Sequence, residues 1–298
     1  MGITNEAVLV TGASGHLGRE AVEWLLENHK GQIIAVTRNP LTLSDFSARG
    51  VVVRQADFDQ PHTLDEAFVG AKRLLLISTD AVSVPGQRLQ QHSNAVEAAI
   101  KAGVEHIVYT SVPNPEPGTE CLIAPDHYGT EEKIKSSGLS FTILRNNLYA
   151  DNLLPSLQQA AASGQYAAAT GDGLTAYVTR KDCARAAAAA LASSFTGTRT
   201  IDVTGTEALS GADVAQIASE VIGKSIQFVA LTTEQLVGIF ESIGMPNGVA
   251  QIFASFDTAS AKGEYAVATT TVQELTGQAP ASLKEFLTEN LAAFTSAS

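Results

Sequence analysis

The sequence predicts an α/β protein built on a doubly wound parallel sheet, with a smaller α/β lobe in its C-terminal half. Short aliphatic runs alternate with amphipathic helical patterns through the first half, which is the order typical of βαβ units. A glycine-rich turn directly follows the first of these runs. After Asn152 the alternation weakens and helical patterns dominate, which favours a separate, smaller lobe.

Six apolar runs in the first half are the expected strands. They lie at residues 7–11, 32–37, 51–55, 73–78, 106–111 and 141–144. The helical patterns between them lie at residues 17–28, 63–68, 89–102 and 130–136. Gly103 and Gly138 follow two of these helices, at the position where glycine commonly ends a helix.

The second half is expected to complete the sheet and to add the smaller lobe. An alanine-rich helix and a further strand at 200–203 suit the same sheet, the helix lying at 181–192. Later helical patterns, with only weak strands between them, lie at 211–221, 233–243 and 283–294. We therefore predict a sheet domain over 1–155, completed by 180–204, and a smaller lobe formed by 156–179 and 205–298.

Composition excludes several classes of protein. The 298 residues are 45% hydrophobic, which excludes disordered and fibrous chains. The net charge of −12, from 19 basic and 31 acidic residues, disfavours nucleic acid and anionic membranes as partners. The two cysteines, Cys121 and Cys183, form neither a disulfide framework nor a metal-binding motif. With no signal peptide and no apolar membrane span in the sequence, we expect a cytoplasmic protein.

The turn after the first strand has the G-x-x-G-x-x-G spacing of a phosphate-binding loop. Gly12 can make the tight turn, Gly15 allows the backbone to approach a pyrophosphate, and Gly18 allows close packing of helix and strand. The free N–H groups of the following helix would face the phosphates. The other predicted contacts in this loop are Ser14, His16 and Leu17. The alternative is an ordinary tight βα turn, but the setting within a βαβ unit favours a Rossmann-type nucleotide site.

The end of the second strand indicates which dinucleotide is preferred. Arg38 lies where an acidic residue would accept hydrogen bonds from a ribose 2′-hydroxyl. A guanidinium would instead bind a 2′-phosphate, so we predict NADPH as the cofactor, the alternative being a surface arginine. Asp57 and Phe58, after the third strand, are expected at the adenine end. The residues expected along the nicotinamide half end the fourth and fifth strands, and they are Ser78, Thr79, Thr110 and Ser111.

The acid–base pair of ordinary carbonyl reductases, Tyr-x-x-x-Lys, is absent from the expected segment. Tyr128 is followed by Glu132, and the match of Tyr177 with Lys181 lies in the wrong element. Conjugated acceptors need less proton assistance than ketones, so the absence favours such acceptors. His127 could donate a proton near neutral pH, although it could equally cap or fill the start of its helix.

Polar residues also cluster after the sixth strand. Asn146, Tyr149 and Asn152 are predicted to line the pocket for the nicotinamide and the acceptor. The alternative is that these asparagines and Arg145 satisfy loop carbonyls between the lobes, which is the interpretation we favour for Arg145. We predict no metal site, because the remaining histidines show no ligand clustering.

Together these motifs resemble the NmrA-like atypical short-chain dehydrogenase/reductases, especially members that reduce quinones and triphenylmethane dyes. The segments that carry the resemblance span nearly the whole chain, and they are 12–18, 38–40, 55–57, 74–78, 109–111, 127–131, 144–146, 178–182, 260–264 and 275–277. The resemblance implies a Rossmann domain that binds NADPH, no flavin, and a flat aromatic acceptor bound between the lobes. The chain departs from the pattern at His16, where glutamine is common, at Asn147 and Leu148, and in the 113–125 segment.

The sequence therefore predicts an NADPH-dependent reductase that transfers hydride directly to a quinone, an azo dye or a triphenylmethane dye. One alternative is a non-enzymatic NADP(H)-binding redox sensor of the NmrA type. Another is an imine, ene or carbonyl reductase on the same fold. We expect a monomer or a homodimer that acts on small molecules.

Overall fold

The computed structural model describes residues 2–295, within which nine strands form two parallel sheets. The strands are β1 (Val8–Val10), β2 (Ile33–Thr37), β3 (Val52–Gln55), β4 (Arg73–Leu76), β5 (His106–Ser111), β6 (Ser140–Asn146), β7 (Gln165–Ala168), β8 (Thr198–Val203) and β9 (Gln227–Ala230). The main sheet has the order β3-β2-β1-β4-β5-β6-β8, and β7 pairs with β9 in the smaller sheet. This order, with strands added on both sides of β1, confirms the predicted doubly wound Rossmann-type fold.

Helices connect the strands and cover the sheet. They are α1 (His16–Asn28), α2 (Ser44–Ser47), α3 (Pro61–Ala67), α4 (Gln87–Ala102), α5 (Ala124–Ser136), α6 (Leu154–Ser163), α7 (Arg180–Ala192), α8 (Gly211–Ile222), α9 (Thr233–Ser242), α10 (Asn247–Ala261), α11 (Thr271–Thr276), α12 (Leu283–Glu289) and α13 (Ala292–Thr295). Among the described residues, no helix is both long and apolar enough to cross a membrane.

The alternation of side chains along the strands divides the core between the two faces of the sheet. Val8 and Val10 of β1 belong to a cluster that contains α1 and α7. Leu9, between them, belongs to the opposite cluster, which contains residues of α3, α4 and α5. The small alanine side chains of α7 let this helix pack closely against α1 and against the sheet face that carries Val8 and Val10. Both faces of the parallel sheet are thus covered by helices.

A third apolar cluster lies outside the main sheet. It contains residues of α6, α8 and α12 together with the two strands of the smaller sheet. Several elements of the second half were not predicted from the sequence, namely β7, β9, α6, α10 and α11. The two strands are four residues long, too short for a clear alternation pattern. The predicted lobe boundaries stay a prediction.

The predicted start of α5 is wrong. The helix begins at Ala124, not at residue 130, and Pro125 occupies its first turn. A proline is well tolerated there because the first N–H groups of a helix have no intrahelical acceptor. The earlier start places His127 inside the helix, where it is buried against Tyr109 of β5.

Candidate functional site

A cavity of about 630 Å³ lies at the carboxyl ends of the strands, around the point where strand order reverses at β1 and β4. The residues that line it are Gly12, Ser14, Gly15, His16, Leu17, Gly18, Val36, Thr37, Arg38, Ala56, Asp57, Phe58, Ile77, Ser78, Thr79, Asp80, Gln91, Thr110, Tyr149 and Arg180. Twelve of the thirteen predicted cofactor contacts lie on this wall, all except Ser111.

The glycine loop has the backbone geometry that a phosphate cradle requires. Gly12 has a positive φ of 59°, which a side chain would strain. A Cβ on Gly18 would lie 2.2 Å from the Gly12 carbonyl oxygen, so only glycine fits where α1 packs against the loop. Gly15 precedes α1 and supplies no side-chain cap, which leaves the first N–H groups of the helix available to an anion. The loop therefore fits the pyrophosphate of a dinucleotide.

Arg38 lies at the end of β2, where its exposed guanidinium forms part of the cavity wall. Its carbonyl oxygen accepts a hydrogen bond from Gln55 Nε2 at 3.2 Å, which fixes the backbone beside it. Among the salt bridges of the described residues, none involves Arg38. The guanidinium can thus hold a phosphate without first breaking an internal ion pair.

The end of the cavity where adenine is expected contains a wall residue that the sequence did not single out. Gln91 of α4 lies on the wall beside Asp57 and Phe58, and its Nε2 donates to the Asp59 carboxylate at 3.0 Å. Its Oε1 is buried and has no hydrogen-bond partner in the protein. A buried acceptor of this kind favours a ligand with an N–H or O–H donor. The mostly polar start of α4 contained too little periodicity to identify Gln91.

At the middle of the cavity, hydrogen bonds join Ser78 to Thr110 at the ends of neighbouring strands, whereas the Thr79 N–H donates to His92 Nε2 of α4 at 3.0 Å. The Thr110 hydroxyl accepts from the Ser78 N–H at 2.9 Å. Ser111, by contrast, does not line the cavity. It is buried, and its hydroxyl donates to Glu131 Oε1 at 2.7 Å. The assignment of Ser111 to the cofactor is corrected, because its side chain lies on the other side of β5 from Thr110.

His127 lies behind the cavity wall, within a buried polar network. Arg88 Nη2 is 2.8 Å from His127 Nε2, and the Tyr109 hydroxyl is 2.8 Å from His127 Nδ1. A guanidinium only donates, so Nε2 must accept, and Nδ1 carries the ring proton toward the Tyr109 oxygen. Burial, reinforced by the Arg88 charge, lowers the pKa of His127 well below its ordinary value. The expectation that His127 donates a proton to an acceptor is therefore corrected in favour of its role in filling the helix–sheet interface.

A second buried network explains Arg145. Its Nη2 lies 2.8 Å from the fully buried Glu131 and 2.5 Å from Glu116. The Ser111 hydroxyl and the Lys135 ammonium also bond to Glu131. Arg145 thus joins β6 to α5 and to the segment after β5. Its partners are carboxylates, and not the loop carbonyls between the lobes that the sequence favoured.

The three residues predicted for the acceptor pocket have different positions. Only Tyr149 lies on the cavity wall, and its hydroxyl oxygen accepts from Asn146 Nδ2 at 3.2 Å. Asn146 is buried behind it, and Asn152 lies on the exposed side with its Oδ1 bonded to Arg180. The placement of Asn146 and Asn152 on the wall is therefore corrected. Burial raises the pKa of Tyr149, which keeps its phenol protonated.

Arg180 is the most consequential wall residue that the sequence analysis did not assign to the site. It is the first residue of α7, and its guanidinium lies 5.4 Å from the centre of the Tyr149 ring. Thr179 caps the helix by accepting from the Asp182 N–H. This capping pattern, Thr followed three residues later by Asp, signals in the sequence that a helix starts at Arg180, but it does not place that start at the cavity.

Comparisons with known proteins agree with this architecture. Quinone oxidoreductase 2 of Escherichia coli (strain K12) is 34% identical over 279 residues, covering 93% of this chain and 96% of the relative. NAD(P)H azoreductase of Xenophilus azovorans is 28% identical over 290 residues, covering 97% of this chain and all of the relative.

Solved structures show the same similarity. The crystal structure of the NADPH-dependent quinone oxidoreductase of Escherichia coli, in complex with NADPH, superposes with a TM-score of 0.90 at 33% identity. That match covers 95% of this chain and 99% of the other. Triphenylmethane reductase of Citrobacter sp., in complex with NADP(H), gives a TM-score of 0.88 at 33% identity, with 95% and 99% covered.

The family comparison spans both the sheet domain and the segments after it. The profile of the NmrA-like family matches residues 4–287, which is nearly the whole chain. The resemblance read from the sequence motifs is thereby confirmed. The chain belongs to the NmrA-like family.

Proposed function

We propose that this protein is an NADPH-dependent reductase that transfers a hydride directly to quinones and to related conjugated acceptors such as azo and triphenylmethane dyes. The observation that carries the proposal is the extent of this cavity. It joins the glycine loop and Arg38, at the end of β2, to Tyr149 and Arg180, beyond the end of β6. The activities named for the relatives, which are similar over nearly their whole length, support the same reaction class.

The chain's own residues account for cofactor binding. The N–H groups at the start of α1 would hold the pyrophosphate, and Arg38 would hold the 2′-phosphate. Gln91 Oε1 offers a buried acceptor to the adenine end, and Thr79 and Thr110 line the path toward Tyr149. When bound there, NADPH supplies the hydride. Together these contacts make a local anion site in a protein whose net charge is −12.

The chemistry of the acceptor follows from what the cavity wall lacks. Among the described residues on the wall, no lysine accompanies Tyr149, and burial raises the pKa of this phenol. The Tyr149 oxygen accepts from Asn146, and no group among residues 2–295 accepts from the Tyr149 O–H, which would therefore be available to an acceptor oxygen. This arrangement orients a carbonyl but gives little proton transfer, which suits quinones and dyes better than simple ketones.

We also propose where the protein acts, what kind of partner it takes and how it assembles. Cys121 and Cys183 are both buried and free, which fits a reducing cytoplasm. The acidic composition supports small-molecule acceptors over nucleic acid as partners. We propose a monomer or a homodimer, since each chain contains a complete cavity.

The test is NADPH oxidation by the purified protein with a panel of acceptors. The panel contains benzoquinone, menadione, an azo dye, malachite green and a simple ketone, and NADPH binding is measured separately by calorimetry. We expect turnover of the conjugated acceptors and none of the ketone. Tight NADPH binding without turnover of any acceptor would overturn the proposal and support a redox sensor instead.

A further inference from the structure

Arg180 is held in place by the start of α7. The backbone N–H of Arg180 donates to Asp151 Oδ2 at 2.8 Å, and Thr179, the residue before it, caps the helix. An isolated bridge between Tyr149 and Val178 ties this segment to the end of β6. The origin of the Arg180 side chain is therefore fixed at the end of the cavity that contains Tyr149.

The guanidinium retains donors that no protein group uses. Its Nη2 donates to Asn152 Oδ1, and Nη1 lies 3.8 Å from Asp151 Oδ1, beyond hydrogen-bond distance. No other hydrogen bond leaves this guanidinium within residues 2–295, and its side chain is 31% exposed. The Arg180 charge is thus only partly neutralised by Asp151, and N–H groups of its guanidinium remain free at the cavity wall.

The two arginines of the wall lie on different elements of the site. Arg38 follows β2, whereas Arg180 begins α7, the helix that packs against α1, and its guanidinium lies 5.4 Å from the centre of the Tyr149 ring. The anionic phosphates are accounted for by the loop and Arg38. Arg180 is therefore available to the group that receives the hydride.

We propose that Arg180 is a specificity-determining residue that contacts the acceptor and favours acceptors that become anions on reduction. This inference rests on the proposed function. A hydride, two electrons with one proton, converts a neutral quinone into a hydroquinone monoanion while NADPH becomes NADP⁺, and a proton from water completes the hydroquinone. A triphenylmethane dye cation becomes neutral when its central carbon forms the new C–H bond. The guanidinium stabilises the hydroquinone monoanion, whereas it repels the cationic dye.

The experiment compares kcat/KM for menadione and for malachite green in Arg180→Gln, Arg180→Lys and the unaltered protein. We expect Arg180→Gln to lower kcat/KM for menadione by roughly tenfold or more and to leave the value for the dye unchanged or raised. Arg180→Lys should retain much of the preference, because it keeps the charge. Arg49→Gln, which removes a surface cation paired with Glu23, is the matched control and should change neither value.

The outcomes separate this inference from the proposed function. If the unaltered protein reduces neither acceptor, the proposed function fails. If it reduces both and Arg180→Gln lowers both equally, with weaker NADPH binding, Arg180 holds the cofactor and the inference is wrong.

A second measurement does not depend on the folding of any variant. In the unaltered protein, inhibition by 4-nitrophenol against menadione should strengthen as pH rises and the phenol ionises. Weaker inhibition by the phenolate would also overturn the inference.

Discussion

The Arg88 guanidinium donates to His127 Nε2 over 2.8 Å, and this contact makes His127 a neutral acceptor inside the helix–sheet interface. Arg88 also donates through Nε to the Thr79 carbonyl at 2.7 Å. One buried cation thus links α5 to the loop that lines the middle of the cavity. The contact explains why a histidine placed near the start of α5 is part of the framework and not of the reacting surface.

Replacement of His127 should therefore affect stability more than activity. His127→Ala leaves Arg88 Nη2 without its buried partner and leaves the Tyr109 hydroxyl with the longer 3.5 Å contact to His92 Nδ1, and we expect the free energy of unfolding to fall by about 2–4 kcal/mol. The kcat of the folded variant should stay within roughly threefold of the original, because no acceptor contact is lost. Urea denaturation and steady-state kinetics measure the two effects. Loss of kcat by a factor of a hundred, with NADPH binding intact, would show that His127 takes part in the reaction.

Buried histidines make stability depend on pH. Burial, reinforced by nearby arginines, lowers the pKa of His92 and of His106 to about 3, and it lowers the pKa of His127 as well. The unfolded chain binds these protons near pH 6.5, so their stabilising effect is complete above that pH and is lost as the pH falls toward 3. We expect each such histidine to contribute a slope of about 1.4 kcal/mol per pH unit below 6.5.

The measurement is urea denaturation between pH 6.5 and 5, before most carboxylates titrate. His127→Gln should reduce the slope, since glutamine can still accept from Arg88 but does not titrate. His62→Gln, at an exposed position, is the control and should leave the slope unchanged. A slope that is the same in His127→Gln as in the original protein would show that His127 titrates normally in the fold.

The glycine loop should not tolerate a side chain at Gly18. A Cβ there would lie 2.2 Å from the Gly12 carbonyl oxygen and 2.7 Å from the Ala13 Cα. We expect Gly18→Ala to weaken NADPH binding by at least about tenfold or to destabilise the domain by about 2 kcal/mol, because backbone must move. Gly238→Ala, at an open position in α9, should be neutral or stabilising by about 0.5–1 kcal/mol. Equal behaviour of the two variants would contradict the packing described for the loop.

Arg38 should determine the choice between the two dinucleotides. Arg38→Gln removes the only charge expected to contact the 2′-phosphate, and we expect the Kd for NADPH to rise by roughly 10–100-fold. The Kd for NADH should change by less than about twofold, and it serves as the internal control. Calorimetric titration of both dinucleotides measures the effect. An equal loss of affinity for NADH would show that Arg38 supports the loop instead of the phosphate.

The cofactor side of the site could be predicted from the sequence because its residues follow strands in a fixed order. Gly12, Arg38, Asp57 and Thr110 each lie at the carboxyl end of a parallel strand, and such ends meet at one sheet edge. Ser111 shows the limit of that reasoning. One residue further along a strand points to the opposite face, so the placement depended on an exact register.

The acceptor side could not be predicted as well, because it depends on contacts between distant segments. Tyr149 and Arg180 meet through the bridge between the end of β6 and the residue before the cap of α7. Asn146 and Asn152 are close to Tyr149 in sequence, but Asn146 ends β6 and is buried, whereas Asn152 lies in the 3-10 helix Ala150–Leu153 and is exposed. No periodic pattern encodes that change of direction. The burial of His127 could not be predicted from periodicity either, because it follows from the earlier start of α5 at Ala124.

Direct hydride transfer from NADPH to a conjugated acceptor is tested most directly by isotope transfer to a triphenylmethane dye. Malachite green is reduced by the purified protein with NADPH deuterated at the transferable position, and the colourless product is analysed by mass spectrometry. The central carbon forms a C–H bond that does not exchange with water, so the account predicts one deuterium in each product molecule. A product formed in the same reaction without deuterium, or no reduction of any acceptor in the panel by protein that binds NADPH, would contradict it.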